Sequence, residues 1–96
     1  MTEKELPSVR EMLKNTDELL EKGEIDTADN MSKIASVQAR ISYALAMEMR
    51  AKVSLAKKDK DSAASYFKMA IEILNKENTE EKNIANHIKE QLSKIA

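Results

Sequence analysis

A chain of 96 residues, 42% hydrophobic but only 3% aromatic, with one Gly and one Pro, has too few turn formers and aromatics for a sheet protein and is all-α by composition. At this length only about 60–65% of the unfolded surface is buried on folding, which bounds the chain to one domain (1–96) and leaves a use for a partner chain. The absence of Cys excludes disulfides and thiolate metal sites, and a net charge of −1 with a pI near 5.9 gives no strong pull toward an anionic partner.

Residues 1–7 read as a polar lead-in. Ser8-Val9-Arg10-Glu11 then forms a capping box, in which the Ser hydroxyl and the Glu carboxylate satisfy the first orphan amides reciprocally. Val9, Met12, Leu13, Thr16, Leu19 and Leu20 share one face, and Gly23 supplies a left-handed stop, so the spacing predicts a first helix over 9–22. Asp26 is a fair cap for a second helix over 27–57, which contains no Gly or Pro and would run about 46 Å if unbroken. Ile34, Val37, Ile41, Ala44, Ala51 and Leu55 make its main stripe. From Tyr43 onward Leu45, Ala46, Met47, Met49 and Val53 add apolar surface off that stripe, which calls for neighbours on more than one side. Lys57 to Asp61 is the next break. A third helix is expected over 62–76 with Ala63, Phe67, Ala70, Ile71 and Leu74 inward. Asn78 caps a fourth over 80–94 with Ile84, Ala85, Ile88, Leu92 and Ile95 on a narrow stripe suited to the bundle surface or another subunit. Short connections favour antiparallel neighbours, giving an antiparallel helical bundle of about four helices with a long central helix.

The charge is unevenly distributed. Residues 1–30 carry four basic and nine acidic side chains, residues 31–68 eight and three, and residues 69–96 four and five. Such blocks serve pairing within the chain, pairing between subunits or an anionic ligand.

Sliding the chain on itself by 35 residues pairs Met12 with Met47, Leu20 with Leu55, Lys22 with Lys57, Asp26 with Asp61, Ala28 with Ala63, Lys33 with Lys68 and Ala35 with Ala70. The stretches GEIDTADNMSKIASV and KDKDSAASYFKMAIEIL resemble the second half of a tetratricopeptide repeat. Ala63, Phe67 and Ala70 match that family's small residue, aromatic and Ala, while Ala28, Ser32 and Ala35 match only the small places. Gly23 fits the turn glycine, which Lys58 replaces in the second copy, and Met12 and Met47 stand where the family has a large aromatic. The resemblance implies two helix hairpins, about 9–37 and 44–72, with a break near Arg40–Tyr43 and the last helix as a cap. It also implies a peptide-binding row of Arg10, Leu13, Asp17, Leu45, Glu48 and Lys52, whose mixed charge does not suit acidic peptide tails.

No catalytic, cofactor or metal constellation stands out. His87, with Glu90 one turn on, lacks the further donors that a metal needs and the pocket that a general base needs. The pairs Glu18/Glu21, Asp26/Asp29 and Glu80/Glu81 occupy first turns or helix faces where capping and solvation account for them. Met31, Met47, Met49 and Met69 read as gap-fillers in an aromatic-poor core, or as an adaptable binding surface. With no apolar leader and no run approaching the roughly 18 residues of a span, the expectation is a cytoplasmic protein with no membrane association, for which the Asn30-Met31-Ser32 sequon is irrelevant.

The function expected is a non-enzymatic interaction or adaptor module without cofactor or small-molecule substrate, self-associating as a homo-oligomer through Leu45, Glu48, Met49, Lys52 and Val53. The alternative is a nucleic-acid-associated accessory protein using Arg50, Lys57, Lys58 and Lys60. Against it, Asp59 and Asp61 dilute the cluster and a solvated helix end explains it.

Overall fold

The computed structural model describes residues 8–95, so the lead-in expected over 1–7 lies outside the described residues. The described residues are all-helical, in the order α1 (Val9–Glu21), α2 (Ile25–Ala56), α3 (Lys60–Ile73) and α4 (Thr79–Ile95). The long helix is unbroken through Arg40–Tyr43, so the split that the tetratricopeptide resemblance implied does not occur. Nothing in Ala39-Arg40-Ile41-Ser42-Tyr43 removes a backbone donor or favours a left-handed turn, and the helix simply propagates.

Local chemistry sets the ends. The Glu11 amide donates to Ser8 Oγ at 3.1 Å and the Ser8 amide to Glu11 Oε1 at 3.0 Å, closing the capping box that opens α1. At its other end Gly23 has φ +78°, its N–H reaches the Leu20 carbonyl at 3.0 Å, and the Glu24 N–H reaches that of Leu19 at 2.9 Å. This paired 5→2 and 6→1 closure uses up the orphan carbonyls within two residues, so the next helix restarts at once. The Ala28 amide already bonds the Glu24 carbonyl at 3.0 Å, which puts Glu24 at the cap and Asp26 inside the first turn, two residues earlier than expected.

The same closure ends α2. Lys58 takes φ +65°, its N–H reaches Leu55 at 2.9 Å, and the Asp59 N–H reaches Ser54 at 2.9 Å. Asp59 then accepts from the Ser62 amide at 3.1 Å, a bond that holds its carboxyl below the usual carboxylate range. Asp59 therefore caps α3, which starts at Lys60 rather than at 62. α3 stops at Ile73 rather than 76 because Leu74 turns extended (ψ +140°) and is buried there. Asn78 caps α4, accepting from the Glu81 amide at 3.0 Å.

By packing, the chain divides after Ala39 into two compact units, and α2 contributes to both. In the first unit, Met12 of α1 and Ala28 and Ala35 of α2 are buried, while Leu13, Leu20, Ile25 and Ile34 stay exposed. In the second, Ile41, Ala44 and Ala51 of α2 join Ala63, Phe67 and Ala70 of α3, Leu74, and Ala85 and Ile88 of α4 in one core. Burial of Ala85 and Ile88 makes α4 an integral part of this unit.

Glu81 corrects the expectation that the Glu80/Glu81 pair is solvated. Its side chain is completely buried and accepts from Arg40 Nε at 2.7 Å, Arg40 Nη2 at 2.9 Å and the Asn75 amide at 2.9 Å. One carboxylate thus ties α2 to α4 and closes the turn between α3 and α4. The bidentate bonds from Arg40 are the main reason its carboxyl sits below the ordinary range, against the opposing effect of burial.

Candidate interaction surface

Leu45, Met49 and Val53 lie four residues apart on α2 and remain exposed at 47%, 57% and 49%. Four residues are about 40° more than one turn, so the row drifts around the helix as it advances. It begins on the open face and ends beside α3, where Met49 and Val53, but not Leu45, line a groove of about 590 Å³. Ala46, Ser54, Arg50, Lys57 and Tyr66 complete the lining, which holds two cations and no carboxylate.

Tyr66 shapes this groove. Arg50 lies 4.7 Å from the Tyr66 ring centroid and its Nη2 donates to the Tyr66 hydroxyl at 2.7 Å. The long Arg side chain is therefore laid along the groove wall with its charge held in place. In the sequence Tyr66 stands one residue before the inward Phe67, with nothing local to mark it for the groove. The signal that could have found it is arithmetic: Arg50 and Tyr66 stand eight residues either side of Lys58, at equal height on a helical hairpin. Which residue of the break expected over Lys57–Asp61 stands at the centre of the turn had to be known first.

Not all the residues expected to meet a partner stay together. Glu48 is buried on the side of α2 that faces α4, where its Oε2 accepts from Gln91 Nε2 at 2.6 Å and lies 3.7 Å from Lys52 Nζ and 3.8 Å from His87 Nε2. Glu48 is thus withdrawn from any partner, and Lys52 leans toward it, away from the apolar row. The helical repeat explains the division, since Glu48 lies about 100° behind Met49. The tetratricopeptide-like row is broken at the same place. His87, expected to pair with Glu90, instead stands over Glu48 from an exposed position.

The basic residues also separate. Arg50 and Lys57 belong to the groove, while Lys58 and Lys60 line a shallow polar depression with Leu55, Asp59 and Asp61 at the turn between α2 and α3. Of the methionines, Met49 and Met69 are exposed and Met31 and Met47 half-buried. Among the described residues no group of three or more His, Asp or Glu is placed to hold a metal ion, and no helix is long and apolar enough to cross a membrane. Comparison of the chain with family models, with curated proteins and with solved structures finds no match in any of the three.

Proposed function

We propose that this chain is a cytoplasmic, non-enzymatic protein–protein interaction module that self-associates through the apolar row of α2. The observation that carries the reading is the row itself: three large apolar side chains at successive four-residue steps, half exposed and continuous with a groove, and more exposed than the unit's other open apolar residues, Tyr43, Met69 and Ile73. Scattered exposed hydrophobes need no explanation, but a contiguous row ending in a concavity marks a contact surface. Support for a non-catalytic role comes from the carboxylates, since Glu81 is neutralised by Arg40 and Glu48 is hydrogen-bonded to Gln91.

Magnitudes limit the strength of such a contact. Removing the exposed halves of three side chains from water is worth about 1 kcal/mol each, or roughly 3 kcal/mol in all. Association costs at least about 4 kcal/mol in lost translational and rotational freedom, so the row must be supplemented by the charges and apolar walls around it. The expected behaviour is weak, concentration-dependent assembly. Light scattering over a concentration series tests this: the mean mass rises above 10.8 kDa for the native chain and remains at 10.8 kDa for Leu45→Glu/Met49→Glu. A native chain that remains monomeric, or a variant that assembles like it, refutes the proposal.

The nucleic-acid alternative predicts a salt-sensitive mobility shift, lost in Lys57→Glu/Lys58→Glu. The carboxylates of Asp59 and Asp61 beside Lys58 and Lys60 weigh against it.

A further inference from the structure

Resting on that reading, the geometry points to the occupant of the Met49–Val53 groove: the acidic face of the first unit in a second copy of this chain, docked head to tail. That face has its own groove, about 300 Å³, lined by Thr16 and Leu20 of α1 and by Ile25, Ala28, Asp29 and Ser32 of α2. Leu20 and Ile25 stand on it at 51% and 64% exposure.

The reason it is open is legible by comparing positions 35 residues apart. The turns at Gly23 and Lys58 close with the same pair of hydrogen bonds, and Ala28 and Ala35 are buried just as Ala63 and Ala70 are. Between the second pair of alanines, Phe67 is completely buried; between the first pair stands Ser32, half-buried, its hydroxyl turned back to the Asp29 carbonyl at 2.8 Å. Where an aromatic ring fills the core of one unit, a small hydroxyl side chain lines the open groove of the other. An apolar side chain from outside would restore the missing packing.

Charge selects which side chain. Glu21 and Glu24 flank the open groove in sequence and Asp29 lines it, with Lys33 meeting Asp29 at 3.1 Å as a solvent-exposed pair and Lys22 beside the turn. The Met49–Val53 groove carries Arg50 and Lys57 and no acid. One face therefore offers apolar side chains beside two cations, and the other an apolar slot whose one charged lining residue is an anion. A phosphate ligand would use the cations but leave Met49 and Val53 in water, whereas the acidic face engages both. Each copy carries one knob face and one slot face, so the contact joins two different patches.

The test uses two full-length variants that each destroy one face at exposed positions. Met49→Gln/Val53→Gln removes the knobs without introducing charge, and Leu20→Lys puts a cation in the slot facing Arg50 and Lys57. Far-UV circular dichroism checks that both keep the native helicity. Head-to-tail docking predicts that each variant alone is monomeric and that an equimolar mixture doubles the mean mass, because the first variant's slot accepts the second's knobs. Leu20→Lys assembling like the native chain overturns the inference and leaves association through the α2 row standing. A mixture that stays monomeric overturns it as well. A native chain monomeric at every concentration overturns both this inference and the proposed function.

Discussion

Replacing Glu81 by Gln should cost the fold about 2 kcal/mol at neutral pH, through the loss of one charge and almost no volume. The substituted amide keeps a carbonyl acceptor for the Asn75 N–H, so what is lost is the bidentate pairing with Arg40. Breaking a wholly buried ion pair costs about 3–5 kcal/mol, because the surviving charge is stranded. Here Arg40 is 28% exposed and can turn part of its guanidinium to water, which reduces the figure. At about 4–8 °C per kcal/mol for a chain of this size, the midpoint of thermal unfolding should fall by roughly 8–16 °C. The pH dependence follows from the sign of the shift. The Glu81 carboxyl is depressed in the folded state, chiefly by hydrogen bonding to Arg40. Its contribution is complete above the ordinary glutamate range of the unfolded chain and is lost as pH falls through the lower folded value. Urea unfolding followed by circular dichroism should therefore show a gap between native and Glu81→Gln protein that is widest at neutral pH and closes in acid. Arg40→Met combined with Glu81→Gln should recover much of the loss, since neither partner is then a stranded charge. A single variant within about 0.5 kcal/mol of the native chain, or a gap unchanged in acid, would refute the clamp.

Lys58 holds a left-handed backbone that costs an L-residue about 1–2 kcal/mol, so Lys58→Gly should raise stability by roughly 0.5–1 kcal/mol after allowing for the greater freedom of Gly in the unfolded chain. Gly23→Ala should lower it by about 1 kcal/mol, purely through backbone strain, because an added Cβ meets nothing within 4 Å. Both are read in urea melts, and opposite signs at the two matched turns are the diagnostic result. Phe67→Ala removes the largest completely buried side chain and should cost about 3–5 kcal/mol by the same measurement. A loss below about 1 kcal/mol would mean that Phe67 does not hold the second unit's core.

Helix content, the turn residues and most inward faces were written in short-range chemistry. The capping box at Ser8–Glu11, the stop at Gly23 and the small residues Ala63 and Ala70 each act within one or two turns of chain, so periodicity and propensity suffice to locate them. The start of α3 moved from 62 to 60 because the double hydrogen-bond closure at Lys58, in a residue with no intrinsic preference for positive φ, makes Asp59 the cap. Glu81 was illegible for a different reason. In sequence it is a first-turn carboxylate, and only the return of α4 against α2 brings Arg40, 41 residues away, to within hydrogen-bonding distance and makes burial tolerable. The interaction surface divides in the same way. The alternation that marked Leu45, Met49 and Val53 as surplus apolar surface came from the helical repeat. Whether their neighbours join them depended on which side of α2 each helix occupies. α4 took the Glu48 side and α3 the Arg50 side, so tertiary packing buried one charge and aligned the other along a groove.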